Sequence, residues 1–260
     1  MAISRTLLRG SAVMVCLALI GSAWDDSPKY PYPEKLVYRI EWHLVTAGTA
    51  TFDLSEVKAN DWKINLELES AGIVSRLYRV LDNYTAFSDG EFCAANSVLD
   101  AQEGKRHRVT HLNFDSAKNE VHYNERDVLA NKDTSKTLDV YPCTREVAGA
   151  LATLRMMDLP PGKSATIAVT NGKKAAKARI DAQSTETITV EGKTYRTIRY
   201  EAFLFDNVLY KRKARLFIWM TDDEAHLPVQ LRVQLGFPVG NITLGLVKEE
   251  RTGSAPAKNG

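Results

Sequence analysis

No run of 18 consecutive apolar residues occurs in the 260-residue chain, which excludes a bundle of membrane-spanning helices. Charge of one sign is not in excess: 34 Lys and Arg face 32 Asp and Glu, a formal charge of +2. That balance is too weak for a strong nucleic-acid or polyanion binder. Cysteine is scarce at three residues and histidine at five. Nucleophile elbows of the Gly-x-Ser-x-Gly type, Gly-x-x-x-x-Gly-Lys-Ser/Thr loops and Gly-x-Gly-x-x-Gly turns are all absent, so acyl-transfer, nucleotide and dinucleotide sites lack their usual markers. No internal repeat is visible. With 44% hydrophobic and 25% charged residues, the composition is that of a globular protein rather than a disordered one.

The N-terminus reads as a secretory signal peptide over residues 1–23. Arg5 and Arg9 supply its positive region, Ser11 to Ile20 its short apolar core, and Gly21-Ser22-Ala23 the small residues before cleavage. About 20 apolar residues would be needed to cross a bilayer, more than this core offers. Cys16 follows Val15 within the core, where a lipid-attachment cysteine would need a small residue before it. Cleavage after Ala23 removes Arg5 and Arg9 and leaves 32 bases against 32 acids. It also leaves Cys93 and Cys143, an even pair expected to form one disulfide in an exported chain. The expected compartment is the periplasm of a Gram-negative-type bacterium.

Residues 24–33, rich in Pro and Tyr, are expected to be extended. From residue 34 to 251 the main signal has period two and no linker interrupts it, predicting one β-rich domain. Leu36, Tyr38, Ile40 and Trp42 alternate with Val37, Arg39, Glu41 and His43. Val229, Leu231, Val233 and Leu235 alternate with Gln230, Arg232 and Gln234. Asn171-Gly172 and Glu191-Gly192 mark hairpin turns. The spacing predicts a mainly β fold, a curved antiparallel sheet or (half-)barrel. One main helix, over residues 144–158, should pack on that sheet. Thr144 is its expected cap, Glu146 lies in its first turn and Pro160-Pro161-Gly162 ends it. A short helix or a strand fits residues 73–78. The Gly-, Ser-, Ala- and Lys-rich residues 252–260 are expected to be a disordered tail.

Few side chains suggest chemistry. His107, His111 and His122 fall in one expected hairpin. Three imidazoles could hold zinc or copper if the register brought them together, although solvent-facing strand histidines account for them as well. No other cofactor is expected. Lys211, Lys213 and Arg215 would share one side of a strand and could meet anionic headgroups. Ile198, Tyr200, Ala202 and Leu204 mark one strand face, Phe203 and Phe205 the other. Burial on both faces fits either a packed core or a sheet curved around a ligand, with Trp42, Tyr200 and Trp219 as candidates for the hollow.

Three stretches in fixed order resemble a bacterial family of exported proteins, domain-of-unknown-function family 3108. The first is Leu36-Val37-Tyr38-Arg39-Ile40-Glu41-Trp42 with Ala47-Gly48-Thr49-Ala50. The second runs from Thr144 through Arg155, with Glu146 where the family commonly carries aspartate. The third is Trp219-Met220-Thr221-Asp222-Asp223 with Leu227-Pro228-Val229 and Gly240 before the last strand. The resemblance implies a periplasmic or envelope β-rich domain and carries over no catalytic residue. It leaves Gly48 and Pro228 with structural roles, at a close backbone approach and a strand entry. Three functions follow. A non-enzymatic envelope protein could hold a lipid, acyl chain or lipoprotein anchor, with peripheral membrane contact. A structural module could bind an envelope protein or a glycan through its edges or loops. A metal-dependent hydrolase would need the histidines to converge.

Overall fold

The structure, a computed structural model, describes residues 30–251. The expected signal peptide, most of the extended segment and the C-terminal tail lie outside these residues. The described residues form one 14-stranded antiparallel sheet. Its first half is a meander of β1 (Glu34–Trp42), β2 (Val45–Lys58), β3 (Asp61–Ser70), β4 (Val80–Ser88), β5 (Ala94–Glu103), β6 (Arg106–Asp115), β7 (Glu120–Asp127) and β8 (Lys132–Asp139). The second half is a meander of β9 (Ser164–Thr170), β10 (Ala175–Val190), β11 (Lys193–Ala202), β12 (Ala214–Thr221), β13 (Pro228–Leu235) and β14 (Asn241–Arg251). The halves join where β14 pairs with β1, so the strand order is 8-7-6-5-4-3-2-1-14-13-12-11-10-9.

The sheet is curled and open. β8 and β9 are its two edges and do not pair with each other. Side chains bridge part of the gap: Lys136 donates to the Lys173 carbonyl and Lys173 pairs with Glu125. Gly172, at φ +73°, lets the β9–β10 turn lie against Leu112 and Tyr123 of the opposite wall. A side chain there would collide with both. Edge β9 is also covered by the chain leading into the main helix, where Arg145 exchanges two backbone hydrogen bonds with Ala168 and Thr170. β8 carries the exposed Lys132 at its start, a charge that discourages pairing with another chain.

Because neighbouring strands are antiparallel, every connection lies at one of two ends. One end is closed by the main helix α2 (Val147–Met156); the short helix α1 (Gly72–Leu77) lies at the other. The expected helix over 144–158 is shortened at both ends, to Val147–Met156. Arg145 is held in a bridge to Val169 and the Thr144 hydroxyl bonds the Tyr141 carbonyl, so neither can enter the helix. Glu146 takes the cap position but caps with no side-chain bond.

Alternation places Leu36, Tyr38, Leu54 and Ile64 inside. The apolar outer face also has a cover. The end of the β10–β11 hairpin lies across it, with Val190 against Gly245 and Glu191 paired to Arg39. Phe217 and Trp219 join the same cluster as Ile188, Val190 and Tyr195. Gly48 has the expected close approach: a Cβ there would sit 2.1 Å from the Glu69 carbonyl oxygen. Pro228 opens β13, and its carbonyl accepts the Tyr38 hydroxyl at 2.8 Å.

α2 is fastened by Arg155, whose side chain and that of its partner Glu34 are 1% and 0% exposed. The guanidinium pairs with both carboxylate oxygens of Glu34 and donates to the carbonyls of Ala225 and His226. It also stacks 3.7 Å from the Tyr30 ring centroid. The expected disulfide is present. Cys93–Cys143 closes 50 residues of chain, a constraint worth about 3–4 kcal/mol. Glu34→Ala is expected to destabilise the protein by about 3–5 kcal/mol in urea unfolding, since Arg155 would remain charged and buried. The double variant Glu34→Leu/Arg155→Met should lose less than that single variant, because no lone charge is left inside.

Candidate functional site

The curled sheet does not fill its own interior. A cavity of about 410 Å³ lies between its concave face and α2. Leu36, Phe52 and Leu68 line it from one half, Ile218 and Leu231 from the other, and Leu151 from the helix. The period-two pattern dictates this lining, since each wall strand sends alternate aliphatic residues inward.

One wall is polar. Asp82 and Tyr84 on β4, Ser97 on β5 and Thr110 on β6 share the inward face, as their ladder partners show. Glu146, at the start of α2, meets them. Its Oε1 accepts the Ser97 hydroxyl at 2.9 Å. Its Oε2 and the Tyr84 hydroxyl are buried without a hydrogen-bond partner. Burial pushes the Glu146 carboxyl up to about 7, with the Ser97 hydroxyl holding it from rising further. Burial, with Glu103 nearby, pushes Asp82 up to about 6. Burial and the Glu146 charge together hold Tyr84 well above the usual phenol range, and the same two causes raise Tyr210 on the β11–β12 connection. An apolar chamber with two unpaired polar atoms on its wall can accept a chain-like ligand carrying a hydrogen-bonding group.

The residues expected at the hollow separate. Trp42 is on the concave face but at the rim, where its indole donates to the Val239 carbonyl at 2.6 Å. Tyr200 faces inward and is buried with Leu159 and Ile198, its hydroxyl reaching the Leu159 carbonyl at 3.3 Å. Trp219 is on the outer face: it pairs with Arg199 and Gln230, while its neighbour Ile218 lines the cavity. None of the three lines the chamber. Large aromatics mark burial in a sequence without saying on which face.

The histidines share the outer face of β6 and β7 but do not converge. His122 pairs with Asn113, one diagonal step from His111, and bonds Thr137. His107 contacts Asp100 at 2.9 Å. Among the described residues, the group close enough to share one ion is Glu91 with Cys93 and Cys143, and those cysteines are joined to each other. The basic trio is not on one strand, because β12 begins at Ala214. Lys211 and Lys213 lie in the connection before it. Arg215 is clamped by Glu201, through Nε at 2.7 Å and Nη2 at 2.9 Å.

Glu146, Asp82 and Tyr84 have no clear sequence signature as site residues. Glu146 reads as an ordinary acid at a helix start, and Asp82-Asn83-Tyr84-Thr85 is polar at every position, so neither face stands out.

No curated protein matches the sequence. A solved β-barrel-like protein of domain of unknown function DUF1849 from Brucella abortus superposes with a TM-score of 0.58 at 8% identity, over 87% of this chain and 100% of the other. It has the same kind of fold. A DUF1089 family protein from Pseudomonas aeruginosa reaches 0.33 at 11% identity, over 72% of this chain and 90% of its own. A protein from Bacteroides fragilis with a YmcC-like fold, described as an export candidate, reaches 0.32 at 6% identity, over 86% and 98%. A family described as "Protein of unknown function (DUF3108)" matches residues 37–247.

A raised carboxyl has a stability signature. The folded state holds the Glu146 proton to about pH 7, while the unfolded chain releases it near 4.3. Its stabilising contribution is therefore complete below about pH 4 and is lost as pH rises through 7. Glu146→Gln should flatten the stability profile between about pH 4 and 8 in urea titrations, leaving a smaller slope of the same sign from Asp82.

Proposed function

The chain belongs to the DUF3108 family of proteins of unknown function, and from that premise we propose that it is an exported, non-enzymatic envelope protein holding an apolar ligand within its curved sheet. The chamber between the sheet and α2 carries this reading. Its volume of about 410 Å³ falls within the ~300–1,000 Å³ of small-molecule sites, and its lining is mostly aliphatic. The ligand class is an acyl chain or similar amphiphile. Its polar group would meet Oε2 of Glu146 and the hydroxyl of Tyr84, whose hydrogen-bonding capacity is unused. An unpaired buried polar atom costs about 1–3 kcal/mol, which a ligand supplying a donor and an acceptor would recover. Export agrees with the N-terminal signal pattern and with one disulfide in an oxidising compartment. The periplasm is the compartment proposed.

Native mass spectrometry of the protein purified from its own cells tests this reading, followed by denaturing extraction. The expected result is a co-purifying amphiphile with an acyl chain. Leu231→Trp, which fills the chamber, should lower affinity for a fluorescent 16-carbon probe by about tenfold, or ~1.4 kcal/mol. An empty protein under conditions that preserve a control lipid carrier sinks the stable complex and favours a module that binds an envelope partner.

A further inference from the structure

The end of the sheet opposite α2 has a distinct chemistry. The connections there are the β1–β2, β5–β6, β7–β8, β9–β10 and β13–β14 turns, the α1 segment, and the β11–β12 loop. Large apolar side chains stand on them in water. Leu44 is 95% exposed on the β1–β2 turn, Leu77 74% on α1 and Leu129 69% on the β7–β8 turn. Ile73 is also exposed on α1 and Phe237 fully so on the β13–β14 turn. Turns normally carry polar residues, and single apolar side chains scattered over a surface need no explanation. Apolar residues raised on four connections of one rim do need one. The turns that carry Leu44 and Phe237 are tied to each other by the Trp42 bond to Val239 and by His43 against Gly240. Tyr78 packs α1 against the β5–β6 turn at Gly104.

Positive charge surrounds these tips. The α1 segment carries Arg76 and Arg79, the β5–β6 turn Lys105, and the β11–β12 loop Lys211, Arg212 and Lys213. None of these six forms an ion pair among the described residues, although other charges on the sheet do. The acid on the connections of this rim is Asp206. At the α2 end acids lead instead, with Asp89, Glu91, Glu191 and the Asp222-Asp223-Glu224 run. A chain close to neutral overall is thus polarised along the barrel axis.

We propose that this rim docks on an anionic lipid bilayer surface, with Leu44, Ile73, Leu77, Leu129 and Phe237 entering the interfacial layer and the flanking bases meeting phosphate headgroups. A protein partner would favour a continuous apolar patch with a packed centre. Separate tips, with bases on α1 and on the β5–β6 and β11–β12 connections between them, fit the soft interface of lipid, where apolar side chains insert one by one and bases add attraction at the surface. The inference does not depend on what the chamber holds.

The test is co-flotation of the protein, purified from its own cells, with vesicles of phosphatidylethanolamine and phosphatidylglycerol, beside vesicles of phosphatidylcholine alone. Binding is expected to the anionic vesicles, and to weaken with salt. Arg76→Gln/Arg79→Gln should lower partitioning by about 25-fold, at about fivefold per base. Leu44→Ser/Phe237→Ser should lower it by about tenfold or more, with circular dichroism unchanged. Val57→Ser, an exposed apolar residue at the α2 end, should leave it as it was. Equal binding to neutral and anionic vesicles, no binding, or binding indifferent to the rim variants overturns the proposal. A solution dimer abolished by the same variants would assign the rim to a second copy of the chain instead.

Discussion

The buried pair of Arg155 and Glu34 is the contact on which the closed end depends. A curled sheet with unpaired edges does not define its own base. Here the base is α2, tied by one guanidinium to the first residue of β1, to the β12–β13 connection and to the Tyr30 ring. Every donor nitrogen of Arg155 has a partner, which is the condition for burying a charge. The disulfide and the Arg145 bonds to the Glu91 carbonyl hold the chain leading into the helix. The helix is therefore fixed from both its start and its end.

That fixation separates two kinds of interior. Below α2, the tyrosines, Trp62 and Phe92 pack against one another as a solid core. Above it, the helix offers mainly Ala, Val and Leu side chains to the space. Residues at this level of the sheet point inward as at any other, but together with the helix they leave about 410 Å³ unfilled. The chamber is thus a consequence of where the helix sits, not of an unusual strand sequence. Glu146 stands at its wall because Arg145 is held on β9 and the helix cannot begin earlier.

The outer face solves a different problem. Phe217 and Trp219 would be exposed on a simple curved sheet. The long β10–β11 hairpin passes over them, and Arg199, Arg215 and Arg232 lie against their rings. Both faces of β12 are consequently buried, which is why its sequence is apolar at successive positions.

Much of the architecture was legible in the sequence. Alternation of Leu36, Tyr38 and Ile40, or of Val229, Leu231 and Val233, is a local property of strands and needs no partner to be read. The Asn171-Gly172 and Glu191-Gly192 turns are local too, as is the break at Pro160-Pro161. The cysteine pair follows from counting. Position across the sheet is not local. Whether Trp219 faces the hollow or the hairpin depends on which way β12 is turned against its neighbours, and one residue of register reverses it. The same limit applies to the histidines, whose separation depends on pairing His122 with Asn113. Tertiary structure alone decided that Glu146, Tyr84 and Asp82 share one wall, and that apolar tips far apart in the chain stand on one rim. Both follow from the meander, which sends every second connection to the same end. Sequence determined the strands and their turns because those depend on neighbouring residues. Only the assembled sheet could decide inside from outside and one end from the other, because those depend on residues distant along the chain.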